Sequence, residues 1–340
     1  MVKVSIIVPV YNCESSIKNT INSILKQNFN DFELILINDG SEDKSGLICD
    51  ELAMKDKRIK VIHQKNSGPG AARNRGINEA EGKYITFVDA DDTVDVDWLD
   101  LMISTIEDNN VDLICTGYKK LFIRDDNRLI KSKDYIPTFK MYKDKKNIIN
   151  DINEIISSGF FIPLWNKLYK SKIIKAFGIT FREDLSLGED FLFNLQYFDK
   201  CNSFIILDTA KYNYIVNKDG LTHKYRSNKF EILNKINDEF RQFIIKYGIT
   251  QDIANYGTVK NCYSCFMDLF HENNYMKLSD KLNYIYDILN KKKVKMVLET
   301  YKPKSIKNKI LVLILKSNFI WLIFIISWIF YVIKFKINKN

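Results

Sequence analysis

Asp89 and Asp91 stand at alternate positions just past the apolar run 84–88, where a carboxylate is costly unless it binds something. A carboxylate-bound divalent cation neutralises negative charge that grows on a departing phosphate. The plainer alternative is a solvated turn, with Asp92 or Asp95 capping a helix that begins near Asp97.

Three more polar clusters end apolar runs: Tyr11-Asn12, Asn38-Asp39-Gly40-Ser41 and Asn66-Ser67-Gly68-Pro69-Gly70. Asp39 could accept the imide N–H of uracil or form an Asx turn with Gly40. Tyr11 could stack on a base and Arg73 could pair with phosphate, although each alone is as easily structural.

These clusters need a scaffold that brings them together. Over the first 110 residues, short β-rich runs alternate with amphipathic stretches, which predicts an α/β fold with a parallel sheet covered on both faces. Strands are expected at 4–8 (ended by Pro9), 32–37, 60–63 and 84–88, and helices at 14–28, 44–55 and 69–79. In open parallel sheets, ligands bind in the crevice beyond the carboxyl ends of the strands, where all four clusters lie.

Ile7-Val8-Pro9-Val10-Tyr11-Asn12, Asn38-Asp39-Gly40-Ser41, the stretch from Asn66 to Asn74 and Asp89-Ala90-Asp91-Asp92 resemble the glycosyltransferase family 2 pattern, up to about residue 105. The resemblance implies a GT-A fold, inversion at the anomeric carbon and a divalent metal, Mn²⁺ or Mg²⁺. It implies Pro9, Tyr11, Asp39 and Arg73 on the nucleotide, Asp89 near the ribose and Asp91 on the metal.

Gly188-Glu189-Asp190 resembles the family's ED motif, which implies Asp190 as general base; inverting displacement needs one such carboxylate on the acceptor side. Glu189 would orient the acceptor or cap the next helix. His223 stands where some relatives place a residue over the diphosphate or on the metal. Trp165, in a segment also similar to the family, would offer a sugar platform or pack.

The chain carries a formal net charge of +9, with basic runs at 291–295 and 302–309. No nucleic-acid motif accompanies that charge, so nucleic acid is not an expected partner. The basic run instead adjoins the apolar stretch 317–333, which suits anionic lipid head groups. As one helix that stretch would extend ~26 Å, borderline for spanning a bilayer, and an interfacial helix is the alternative. The lysines on either side favour the cytoplasmic face of a bacterial membrane, and the N-terminus leaves no room for a signal peptide. Six scattered cysteines read as reduced thiols, and the Cys262–Cys265 pair as helix packing.

The expected organisation is a donor-binding half at 1–110, an acceptor and catalytic-base half at 111–228, a helical region at 229–305 and a membrane-associating segment at 306–340. The expected activity is transfer of a single sugar, a hexose or N-acetylhexosamine, from a UDP-sugar to a lipid-linked saccharide acceptor in surface polysaccharide synthesis. The alternative is a membrane-anchored scaffold that kept the fold and lost catalysis, against which the intact Asp39, Asp89, Asp91 and Asp190 set argues. A sugar-1-phosphate nucleotidyltransferase would need a Gly-rich basic loop in place of Tyr11-Asn12-Cys13-Glu14, and a processive synthase a QxxRW-like segment that is lacking.

Overall fold

Runs of Val, Ile and Leu with no polar alternation make strands that must be covered on both faces. Val4–Val10 (β1) and Phe32–Asp39 (β2) are such runs, and nearly every residue of both is buried. In the computed structural model, which describes residues 2–124, 128–216 and 225–333, they lie at the heart of one sheet. The other strands are Ile59–Gln64 (β3), Tyr84–Phe87 (β4), Thr93–Val94 (β5), Leu113–Ile123 (β6), Leu129–Tyr135 (β7), Lys140–Tyr142 (β8), Lys167–Lys170 (β9) and Phe204–Ile215 (β10). Their order is β3-β2-β1-β4-β9-β6-β10-β5, with β7 beside β6 and β8 beside β10.

The first four strands are parallel neighbours, as expected. Past β4, strand β9 runs antiparallel to both β4 and β6, and β10 lies parallel to β6. Pro9 does not end β1: it continues to Val10, paired with β2. The ladder with β4 stops at Ile7 and Phe87, so the N–H that Pro9 lacks falls where that ladder has no further partner.

Helices Ile17–Leu25 (α1), Ser45–Ala53 (α2), Pro69–Glu79 (α3), Trp98–Asn109 (α4), Lys145–Asn150 (α5), Ile152–Ser157 (α6), Ser171–Phe177 (α7) and Glu189–Lys200 (α8) accompany the sheet. Ile17, Ile21 and Ile24 recur at i, i+4 and i+7, and that stripe is the face α1 buries.

By contacts the chain divides into residues 1–220, which hold the sheet, and residues 221–340. The second unit consists of helices Lys229–Lys246 (α9), Asp252–Asp268 (α10), Leu278–Asn290 (α11), Lys292–Thr300 (α12), Ile306–Lys316 (α13) and Ile320–Val332 (α14). Cys262 and Cys265 lie on the buried face of α10, in a core with Phe230, Phe266, Ile285 and Val297. Burial pushes the Cys265 thiol up to about 12.

Helix forms over only part of the stretch 317–333, beginning at Ile320. Asn318 takes a left-handed φ of 53° and separates α13 from α14. At the standard rise, the 13 residues of α14 extend ~20 Å. Among the described residues, no helix is long and apolar enough to cross a membrane.

Candidate active site

The loops after β1 and β2 are stitched together by short polar side chains. Asn12, at φ 47°, donates its N–H to Ser41 Oγ (3.1 Å), and its Oδ1 accepts from the Glu42 N–H (2.8 Å). The Cys13 N–H donates to Ser45 Oγ. Asn38 Oδ1, not Asp39, accepts the Ser41 N–H and closes the turn over Gly40. Gly40 has φ 71°, and a Cβ there would lie 2.7 Å from the Asn66 backbone nitrogen, so the β2 and β3 loops can touch only through glycine. Tyr11 projects beside this seam, 49% exposed.

Asp39 is buried and turns toward the β3–α3 loop. Its Oδ1 accepts from Gln64 Nε2 (2.8 Å) and the Ser67 N–H (2.9 Å), and its Oδ2 from the Gly68 N–H (2.8 Å). The Asx turn with Gly40 is therefore replaced by a clamp on the loop that launches α3. Two oxygens can accept about four hydrogen bonds, so three such donors leave acceptor capacity on Oδ2.

Helix α3 carries Arg73 to the carboxyl end of β4. Its guanidinium is buried, with Nη2 at 3.1 Å from Asp89 Oδ1 and Nη1 at 3.1 Å from Asp190 Oδ1 and 3.5 Å from Glu189 Oε1. Arg73, expected to pair with phosphate, is thus engaged by three carboxylates drawn from β4's end and the first turn of α8. Glu189 and Asp190 follow Gly188, which takes φ 80° at the helix start, and Glu189 faces Arg73 instead of capping.

Electrostatics follow from that crowding. Burial pushes the Asp190 carboxyl up to about 7, against the lowering effect of Arg73, with Glu189 and Asp89 adding to the rise. Burial alone would lower the Arg73 guanidinium, but Asp190, Asp89 and Glu189 outweigh it and hold the charge.

Asp92 is fully buried and does not cap a helix. Its Oδ2 accepts from the Tyr212 hydroxyl (2.8 Å) and its Oδ1 from the Ile215 N–H (2.7 Å), while the Asp89 N–H donates to the same Tyr212 oxygen (3.1 Å). Burial first, then the charges of Asp91 and Asp89, raises its carboxyl well above the usual range. Ser16, just before α1, and Thr20 within it both donate to the Ala90 carbonyl (3.0 and 2.9 Å), fixing the turn between Asp89 and Asp91 from the other side.

Trp165 is 8% exposed and stacks on Tyr212 at 4.3 Å, with Tyr118 edge-on at 5.0 Å, so its surroundings are those of a packing residue. Pro9 lies within β1, and His223 falls outside the described residues.

Sequence reasoning missed Tyr212, Asp92's partners and Lys167. Lys167 is fully buried, and its ammonium donates to the Phe160 and Pro163 carbonyls and to Asn166 Oδ1. Asn194, one turn after Asp190 on α8, donates to the Phe161 and Ile162 carbonyls (both 2.9 Å). Burial pulls Lys167 down to about 8. Nothing local in the sequence marks these residues: Lys167 opens the four-residue strand Lys-Leu-Tyr-Lys, whose end lysines read as exposed.

The expected divalent cation can be weighed against the donors present. Among the described residues no group of three or more His, Cys, Asp or Glu side chains is assembled that could hold a metal. Magnesium and manganese sites commonly use one or two carboxylates completed by substrate phosphates, and the Asp89–Asp92 turn supplies hard oxygen donors with surplus negative charge. The residues fit a cation held jointly with a phosphate-bearing substrate.

Residues 5–171 match the family model described as Glycosyl transferase family 2. The uncharacterized glycosyltransferase EpsJ of Bacillus subtilis (strain 168) is 34% identical over 250 residues, 72% of this chain and 71% of EpsJ. EpsH of the same strain is 35% identical over 232 residues, 67% of this chain and 65% of EpsH. The crystal structure of S. aureus TarS 1–349 in complex with UDP-GlcNAc superposes with a TM-score of 0.66 at 22% identity, covering 96% of this chain and 90% of that one, which establishes the shared GT-A fold. With EpsJ related at that identity over most of both chains, and the family model covering the strands and loops that carry Asp39, Arg73 and Asp89, this chain is a glycosyltransferase and belongs to glycosyltransferase family 2.

Proposed function

We propose that this enzyme transfers a single sugar from a UDP-sugar to a saccharide hydroxyl with inversion, and that Asp190 is the general base. The observation that carries this reading is the Asp190 carboxyl, raised to about 7 and 3.1 Å from the guanidinium that also holds Asp89. A base whose pKa lies near the working pH balances being unprotonated against proton affinity.

In one displacement the acceptor oxygen bonds to the anomeric carbon as its proton passes to Asp190. The bond from that carbon to the diphosphate breaks on the opposite face, and no covalent enzyme intermediate is needed. Tyr11 offers an exposed ring to the base, and Asp39 shapes the Ser67-Gly68 loop while keeping acceptor capacity for the uracil imide. A divalent cation shared by Asp91 and the diphosphate would offset the leaving group's charge. Arg73 positions Asp89 and Asp190 relative to each other.

UDP as the donor nucleotide is supported by the UDP-GlcNAc bound to TarS and by Asp39. We assign the acceptor to the lipid-linked saccharides of surface polysaccharide synthesis, at the cytoplasmic face of the membrane, from the basic and apolar C-terminal region. Calorimetric titration with UDP, with and without Mn²⁺, tests the donor half: metal-dependent binding supports it, and no binding to the folded protein overturns it.

A further inference from the structure

Helix α14 is apolar all round, yet it buries only Ile323 and Ser327. Trp321, Ile325, Trp328 and Phe330 are exposed. Ile306, Ile310 and Leu313 of α13, spaced i, i+4 and i+7, are exposed as well, while Val312 and Leu315 on the other side of that helix join the core. An exposed apolar surface of this kind marks an interaction site.

Within the same unit, α14, α11 and the segment joining α10 to α11 enclose an apolar groove of about 550 Å³, the size of a small-molecule site. Phe270, Met276, Leu278, Phe324 and Trp328 line it, and Lys281 is the one charged lining residue. The Lys281 ammonium stands 5.8 Å from the Phe270 ring centroid and makes no ion pair among the described residues.

The surrounding charge separates the possible occupants. Residues 301–333 contain Lys302, Lys304, Lys307, Lys309 and Lys316 and no Asp or Glu. Lysine is depleted from the cores of protein interfaces, whereas lysines beside Trp and aliphatic residues on short helices suit the boundary of an anionic bilayer.

We infer that the groove is a binding site for an anionic phospholipid of the bilayer surface, its acyl chain against Phe270, Phe324 and Trp328 and its phosphate at Lys281. Helices α13 and α14 then lie in the interface rather than across it. This rests on the membrane part of the proposed function and adds to it a defined lipid site.

The test uses the full chain with vesicles of phosphatidylcholine alone or with phosphatidylglycerol, in the absence of donor and acceptor. Of the four tryptophans, Trp98 and Trp165 are buried in the first unit, so quenching by lipids brominated on the acyl chain reports Trp321 and Trp328. We expect binding that requires phosphatidylglycerol, with quenching. Lys281→Gln should weaken it about fivefold, the effect of one cation near an anionic surface. Leu278→Asp should reduce quenching while far-UV circular dichroism stays unchanged. Absence of quenching, equal binding to both vesicles, or indifference to both substitutions overturns the site, as does self-association that buries these tryptophans instead. UDP titration of the same preparation keeps the two readings apart: UDP binding without vesicle binding sinks the lipid site alone, and the reverse result sinks the UDP-donor reading alone.

Discussion

Asp190 Oδ1 lies 3.1 Å from Arg73 Nη1, although 117 residues separate the two in sequence. The other end of the same guanidinium lies 3.1 Å from Asp89, so a single buried cation joins the end of β4 to the start of α8. Removing, protonating or replacing any member of this set changes the others, and several outcomes can be stated in advance.

Asp190→Asn keeps the shape and removes the base. Transfer should fall roughly 10²–10⁴-fold, the usual contribution of a positioned base, while UDP affinity measured by calorimetry stays close to that of the wild type. An equal loss of UDP binding would reassign Asp190 to the donor site.

The pH profile carries the same test. A base raised to about 7 is protonated below that pH and active above it, so kcat/KM should climb through an acidic limb near pH 7. Arg73 lowers the carboxyl's proton affinity, and its removal should move that limb to higher pH. Arg73→Met should also destabilise the fold by about 3–5 kcal/mol in denaturant unfolding, because it leaves partly buried carboxylates uncompensated. A stable variant with an unmoved limb would sever the link between the two residues.

Asp91→Ala should abolish the Mn²⁺ dependence of UDP binding while leaving the folded state intact by circular dichroism. Metal-dependent binding that survives the substitution would place the cation elsewhere.

Tyr212→Phe removes a donor from the buried Asp92 carboxyl and an acceptor from the Asp89 N–H. The expected cost is about 1–3 kcal/mol in urea unfolding, that of leaving a buried polar group unsatisfied. Asp92 binds its proton more tightly folded than unfolded, so its contribution to stability is present at low pH. That contribution is lost as pH rises from about 4 toward the raised folded value. Asp92→Asn should flatten this part of the stability curve, and an unchanged slope would show that Asp92 does not cause it.

The sequence disclosed the parallel half of the sheet because its strands are nearly unbroken Val, Ile and Leu runs and because α1 repeats isoleucine at helical spacing. Asp39, Asp89 and Asp190 were also visible there as residues at the ends of elements, and Arg73 one turn into α3. Their partners were not. Tyr212 reaches Asp92 across 120 positions, and Arg73 meets Asp190 across 117, distances at which no local pattern survives. The late start of the helix in 317–333 turns on one asparagine, Asn318, adopting a left-handed conformation, which composition and hydropathy do not register. Pro9 looked like a strand end because proline usually is one; only the unequal lengths of the β2 and β4 ladders show why it is tolerated inside β1.

That inequality bears on how readily specificity can change. β1 stays paired with β2 through Val10 but parts from β4 after Ile7, and the chain order reverses there: β2 and β3 extend the sheet to one side and β4 to the other. The crevice is therefore a topological switch point, opened by strand order and not carved by particular side chains. Substitutions at exposed positions such as Tyr11 change what lines the crevice without closing it, whereas Gly40, where a Cβ would meet the Asn66 backbone, belongs to the scaffold that keeps it open.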